Sequence, residues 1–263
     1  MTQQSLDTAS TRRIAPGPDA DRLARAAYAA FISDLATLSA EDWHRPTDCN
    51  PWTVRDMVAH LVGAARGHAS LTTFTRQYLW GKRHRGAFGG SSLDAMNQGQ
   101  IDGLRRHSSE DLAQLLANLA PAAVAGRARR ARLLGWISIN LEAAGSWYPG
   151  MPTKTTMAEL CSVVLTRDVW AHRLDLARAI GTNPPLDPNV DRVIIADIVS
   201  DWATRHHQPF SLILTGAAGG SFHSGTAVRP LTLDAVDFAR LMAGRRPDGI
   251  IPDSPLWATK VLF

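Results

Sequence analysis

The stretch Thr166–Gly181, TRDVWAHRLDLARAIG, constrains the fold more than any other part of the chain. Residues three and four apart stack on one face of a helix, so Asp168, His172 and Asp175 share one sector about 60° wide. Val164 borders that sector on one side, Leu165 and Leu176 on the other. A polar strip between apolar walls suits a buried site better than a solvated face. Asp168 and His172 stand at i, i+4, the spacing from which one helix can give two ligands to one metal ion. Such a helix needs other helices around it to supply a third ligand and close the cavity.

The rest of the sequence offers those helices. Leu23, Ala26, Ala27, Ala30, Phe31 and Leu35 recur at helical spacing after Pro18, and that helix is expected to stop near Ser39. A compact loop, Glu41–Trp52, leads to the capping box Thr53-x-x-Asp56. The helix behind it carries Val54, Met57, Val58, Leu61 and Val62 on a core face, with His60 at the edge. The stripe neighbours Ala64 and Gly67 are small, which leaves room beside the imidazole. Gly81–Gly90 breaks the pattern and predicts a mobile basic loop. Helical signals return at Leu93–Arg106 and again behind Ser109, and Gly145–Pro152 reads as a loop. Thr156-x-x-Glu159 caps the helix that ends at Gly181.

The stiff linker Asn183–Pro188 is the expected domain boundary. Beyond it the sequence predicts a helix at Val190–His206, strands at Phe210–Thr215 and Ser221–Val228, a helix at Leu233–Ala243 and a loose tail. The expected organisation is a flexible tail over 1–17, an all-helical domain over 18–182, and a small α+β domain over 189–263.

Composition narrows the function classes. A hydrophobic content of 45% and a charged content of 20% over 263 residues are ordinary for a soluble globular protein. No apolar run of membrane-spanning length and no signal-like apolar segment occurs, so a cytosolic protein is expected. Cys49 and Cys161 form no C-x-x-C, which argues against a cysteine-rich zinc site, and a loop cysteine with no evident base reads as structural. The basic run Arg127–Arg132 lacks an aromatic platform and reads as a solvated helix face rather than a nucleic-acid surface. Arg167 and Arg178 share a stripe with Leu160 and Ala171 and are expected to reach solvent at the rim. Gly216–Gly220 lies between two strands, with no helix amino terminus to receive a pyrophosphate.

Two motifs together carry a family resemblance. W-x-x-P-T-x-C-x-x-W-T-V-R-D-x-V-A-H-L spans Trp43–Leu61, and D-V-W-x-H-R-x-D-L-A-R-A-x-G spans Asp168–Gly181. Both resemble the actinobacterial mycothiol-dependent maleylpyruvate isomerase family. Leu214–Gly220 and Leu233–Phe238 are similar to the smaller C-terminal domain of that family. The resemblance implies a DinB-like four-helix bundle followed by a small α+β domain. It also implies a divalent metal held by His60, Asp168 and His172, with mycothiol as cosubstrate. The isomerases carry glutamate where this chain has Asp168, one methylene shorter.

Two histidines and one carboxylate suit zinc at roughly 2.0–2.2 Å with an open position. Nickel or iron(II) would accept the same set. Asp175 fits a group that orients a metal-bound histidine rather than a ligand. In the isomerase reaction a thiolate adds to an activated cis double bond, the bond rotates, and elimination gives the trans product. The same site could transfer a thiol to another electrophilic small molecule. The alternative is a non-catalytic or regulatory protein that keeps the fold and binds a small ligand.

Overall fold

Proline at the first helical position, followed by Asp19 and Asp21, opens α1 (Pro18–Leu35), where a missing amide costs nothing and negative charge is favoured. This helix belongs to a computed structural model that describes residues 5–7, 13–141, 150–226 and 229–263. It buries Leu23, Ala27, Tyr28, Phe31 and Leu35 and stops four residues before Ser39. The chain divides into two compact units, one holding the described residues of 15–147 and 153–184, the other those of 1–14, 148–152 and 185–263.

In the first unit, α2 (Val54–Ala69) begins at a reciprocal capping box. Asp56 N donates to Thr53 Oγ1 at 3.2 Å, and Thr53 N donates to the Asp56 carboxylate at 3.0 Å. This helix is buried almost all round, with Val54, Met57, Val58, Leu61 and Val62 fully inside. Next come α3 (Leu71–His84), α4 (Ser92–Asp102) and α5 (Ser109–Leu134), the last capped by Ser108 and Asp111. A short antiparallel pair, β2 (Ser138–Asn140) and β3 (Lys154–Thr156), leads into the single turn α6 (Met157–Glu159). Thr156 Oγ1 accepts from Glu159 N, while the Glu159 carboxylate accepts from Thr155 Oγ1. Leu160–Val164 form a π-helical turn, and α7 (Leu165–Ala179) follows directly. Helices α1, α2, α5 and α7 pack on one another as the DinB-like four-helix bundle, with α3 and α4 laid against α2.

Two local expectations change here. The segment expected to be a mobile basic loop at Gly81–Gly90 is mostly helical. α3 runs on to His84 and a 3-10 turn covers Arg85–Phe88, closed by Gly89 at φ 61°. His84 sits one turn after Trp80, stacks on its indole at 4.0 Å and donates Nδ1–H to its carbonyl, which holds the helix past Gly81. Most of the loop expected at Gly145–Pro152 lies outside the described residues.

The second unit is a four-stranded sheet in the order β1-β5-β4-β6 with two helices. β4 (Phe210–Thr215) pairs antiparallel with β5 (Gly220–Ser224), Leu212 opposite Phe222, and parallel with β6 (Leu231–Asp234). Phe210, Leu212 and Leu214 point to the core at the two-residue period of a strand. β1 (Ser5–Asp7) pairs parallel with β5, in a stretch the sequence reads as a tail. Trp202, from α8 (Asp191–His206), centres the core between Phe210, Phe238 and Trp257, with its indole N–H on Leu256 O at 3.1 Å.

Leu233 and Asp234, the expected start of a helix, end the strand β6 instead. α9 (Ala235–Met242) begins only where the Asp234 carboxylate caps Val236 N at 2.8 Å. The tail expected to be loose is anchored, with Val261 and Leu262 buried. Residues 227 and 228, at the end of the second expected strand, are outside the described set. No helix among the described residues is long and apolar enough to cross a membrane.

Candidate metal centre

Two helices of the bundle bring the cluster together. α2 delivers His60 and α7 delivers Asp168, His172 and Asp175. Donor atoms of His60, Asp168 and His172 all lie within 4.8 Å of one another. The helical wheel alone could not bring His60 to the other two, and the packing of α2 on α7 does. Both imidazoles are buried, at 6% and 4% exposure, with ring centres 5.5 Å apart and edge to face. Asp168 stays about a quarter exposed, which leaves a way in from solvent.

The nitrogen of each histidine that faces away from this cluster is already used. His60 Nδ1 donates to Gln100 Oε1 at 3.0 Å. Gln100 Nε2 donates to Gln77 Oε1 at 3.3 Å, and Gln77 Nε2 donates to Gly63 O at 2.9 Å. This chain of amides ends on a backbone carbonyl, so its direction is set and His60 keeps the lone pair on Nε2. On the other side, His172 Nδ1 stands 3.2 Å from Asp175 Oδ2, while Nε2 faces Asp168 Oδ1 at 3.4 Å. Asp175 is 1% exposed.

These residues fit a divalent cation. Two imidazole nitrogens and one carboxylate oxygen converge, each imidazole has its second nitrogen engaged, and the cluster is walled by apolar groups. The Trp52 indole stands 5.0 Å from the His60 ring and 6.5 Å from the His172 ring. A second set of donor atoms, on Cys49, His172 and Asp175, also lies within 4.8 Å. There the Asp175 carboxylate already accepts from the Cys49 thiol at 3.4 Å and faces His172 Nδ1.

Charge in the cation-free cluster is unevenly shared. Burial dominates at His60 and pushes it down to about 4, with the neighbouring His172 adding to the effect. Burial also opposes charge on Asp168, but His172 and then His60 hold it well below the usual carboxylate range. His172 rises well above an ordinary imidazole: burial works against its charge, and Asp168 beside it outweighs that.

Several residues take places the sequence did not suggest. Cys49 stands against the cluster, its thiol donating to Asp175 Oδ2 at 3.4 Å and lying 3.7 Å from His172 Nδ1. Its position in the Trp43–Leu61 motif was the available signal. Gln77 and Gln100 carry no such signal: they lie on α3 and α4, and α4 has little apolar periodicity to fix which face it turns inward. The room left by the small residues near His60 is filled by these amides. A Cβ at Gly67 would sit 2.5 Å from Gln77 Oε1, and one at Gly63 would collide with Gln100.

The expectation for Arg167 is overturned: it is fully buried, at 0% exposure. Arg178 pairs with Asp48 at 3.3 Å, tying the end of α7 to the loop that carries Cys49 and Trp52. The basic run is a solvated face only at Arg129 and Arg132. Arg130 donates to the Gly67 and His68 carbonyls at the end of α2, which would otherwise lack partners. Arg127 is buried against the π turn.

His68, two turns after His60 on the same face of α2, is a second buried imidazole. Burial, then the charges of Arg127 and Arg130, push it down to about 3. The unfolded chain therefore takes this proton first as pH falls. His68 contributes stability that is present above about pH 6.5 and lost on descending toward 3, by up to about 1.4 kcal/mol per pH unit. Denaturant titrations of the metal-free protein at about pH 7 and about pH 5 check this against His68→Gln. The variant is expected to lose about one proton's worth of pH slope, and an unchanged slope would mean that His68 is not held neutral. The comparison with the variant matters because His60 adds to the slope, whereas the raised His172 opposes it.

Comparison with known proteins agrees with this architecture. Residues 24–177 match the family model described as the mycothiol maleylpyruvate isomerase N-terminal domain. The fold is similar to the crystal structure of the mycothiol-dependent maleylpyruvate isomerase, with a TM-score of 0.54 at 15% identity. That likeness covers 91% of this chain and 97% of the other. A histidine-to-alanine mutant of that isomerase matches equally, again with a TM-score of 0.54, 15% identity and the same shares covered. No curated protein matches the chain by sequence.

Proposed function

Because the chain belongs to the mycothiol maleylpyruvate isomerase N-terminal domain family, we propose that it is a metal-dependent, mycothiol-using isomerase or thiol transferase. Its substrate is an unsaturated or otherwise electrophilic small molecule. The observation that carries this reading is the convergence of His60, Asp168 and His172, with the outer imidazole nitrogens fixed by Gln100 and Asp175.

His60, Asp168 and His172 would hold the cation, and zinc suits two imidazoles with one carboxylate best, although nickel and iron(II) accept the same donors. When bound, the cation supplies a Lewis acid that lowers the pKa of a thiol brought to its open position, so a thiolate exists near neutral pH. Gln100 keeps the proton of His60 on Nδ1, and Asp175 does the same for His172, so both Nε2 lone pairs face inward. Trp52 covers the imidazoles and limits water at the reacting thiol. Asp168, partly exposed, marks the side on which substrate enters.

Turnover of mycothiol with maleylpyruvate, and with a panel of unsaturated carbonyl compounds, tests the reading. Thiol addition or cis–trans conversion is expected in the metal-loaded protein, to be lost after chelation and restored by added zinc. A fully metal-loaded protein that consumes no electrophile would overturn the enzymatic reading.

A further inference from the structure

The amide chain behind His60 has a second face, and that face lines a cavity. A cleft of about 410 Å³ opens between α2, α3, α4 and α5, bordered by Gln77 and Gln100 and by Arg66, Arg76, Ser70 and Thr73. None of His60, Asp168 or His172 lines it. Gln100 reaches His60 through Nδ1, the nitrogen that faces away from Asp168 and His172, so the cleft lies behind the candidate metal centre.

Two features of the lining point to an anion. The guanidinium groups of Arg66 and Arg76 make no hydrogen bond or ion pair among the described residues, and no aspartate or glutamate lines the cleft. The hydroxyls of Ser70 and Thr73 and the two amides add neutral polar groups. Two leucines complete the wall and give an organic body something to lie against. The volume falls within the range of small-ligand sites.

We propose that this cleft is a binding site for a small organic anion, a carboxylate or phosphate monoester with a compact apolar body. The two arginines grip the anionic head as planar forks, which lysines could not do equally well. The leucines select against fully hydrated inorganic ions. The site is separate from the metal centre and does not depend on the proposed thiol chemistry.

Calorimetric titration of the full chain with benzoate, phenyl phosphate and inorganic phosphate tests the proposal. Benzoate or phenyl phosphate is expected to bind saturably and more tightly than inorganic phosphate. Affinity is expected to fall at least about tenfold in Arg66→Gln/Arg76→Gln, since both charged donors to the anion are lost. Arg76 is exposed, so Arg76→Gln alone keeps the fold and is expected to weaken binding in the same direction. Binding is expected to persist in His172→Ala, which separates this cleft from anion capture by a metal ion. Equal affinity in wild type and the arginine variants, or loss of binding in His172→Ala alone, would overturn the proposal. So would binding of inorganic phosphate without either organic anion, or no saturable binding of any of the three.

Discussion

His172→Ala is expected to strip the protein of its cation and its thiol chemistry together. The imidazole is the one group that meets Asp168 on one nitrogen and Asp175 on the other, at 3.4 and 3.2 Å. Its removal takes a donor from the cluster and leaves two carboxylates facing a void. Asp175, 1% exposed, then loses one of the groups that balance its charge. A group that only orients a ligand typically accounts for about 10–100-fold in metal affinity. Loss of the ligand itself is expected to exceed that, and Asp175→Asn to fall inside it. His60→Ala is expected to match His172→Ala, because it supplies the only donor from α2. Metal content after gel filtration, followed by competition with a chromophoric chelator, reads both effects. Full metal stoichiometry in both histidine variants would mean that the cation sits elsewhere, with Cys49 and Asp175 as the next donors to replace.

How much of this was legible in the sequence depends on whether a property is local. The capping box at Thr53 and Asp56 and the polar strip of α7 are local, since each follows from spacing within one helix. His60 could be placed at the edge of a core face for the same reason. What no helical wheel contains is the distance to the neighbouring helix. Gly63 shows this: a glycine within a helix costs stability, and here it lets Gln100 of α4 come close enough to bond His60. Arg167 and Arg127 were misread by the opposite route. Arginine is usually exposed, so a buried one is invisible until the carbonyls it serves are known. Leu233 and Asp234 failed as helix because pairing with β4 outweighed a local pattern that also fits a helix. Cys49 lies between these cases. Its motif marked it, but the groups it meets, Asp175 and His172, come from a helix more than a hundred residues away.

Arg127→Leu is expected to be among the most destabilising substitutions in the helical unit, at about 3 kcal/mol or more. Arg127 is 2% exposed, and its guanidinium donates to Cys161 O at 3.0 Å, Leu165 O at 3.1 Å and Thr166 Oγ1. Those acceptors span the π turn Leu160–Val164, where the helical bonding pattern shifts and carbonyls need partners from outside the helix. Leucine fills part of the volume but serves none of them, and each buried acceptor left alone costs about 1–3 kcal/mol. Arg127→Lys keeps the charge but cannot reach three acceptors with one ammonium, so about half the loss is expected. At roughly 2–4 °C per kcal/mol for a chain of this size, the leucine variant melts about 6–12 °C lower. Thermal melts and urea midpoints of the three proteins measure this. The π turn leads directly into α7, so metal affinity is expected to fall in the order of lost stability even though Arg127 is not a ligand. If Arg127→Leu costs under about 1 kcal/mol, the backbone alone holds the turn, and the rotation of α7 that aims Asp168 and His172 must come from the packing of Trp170 and Leu174.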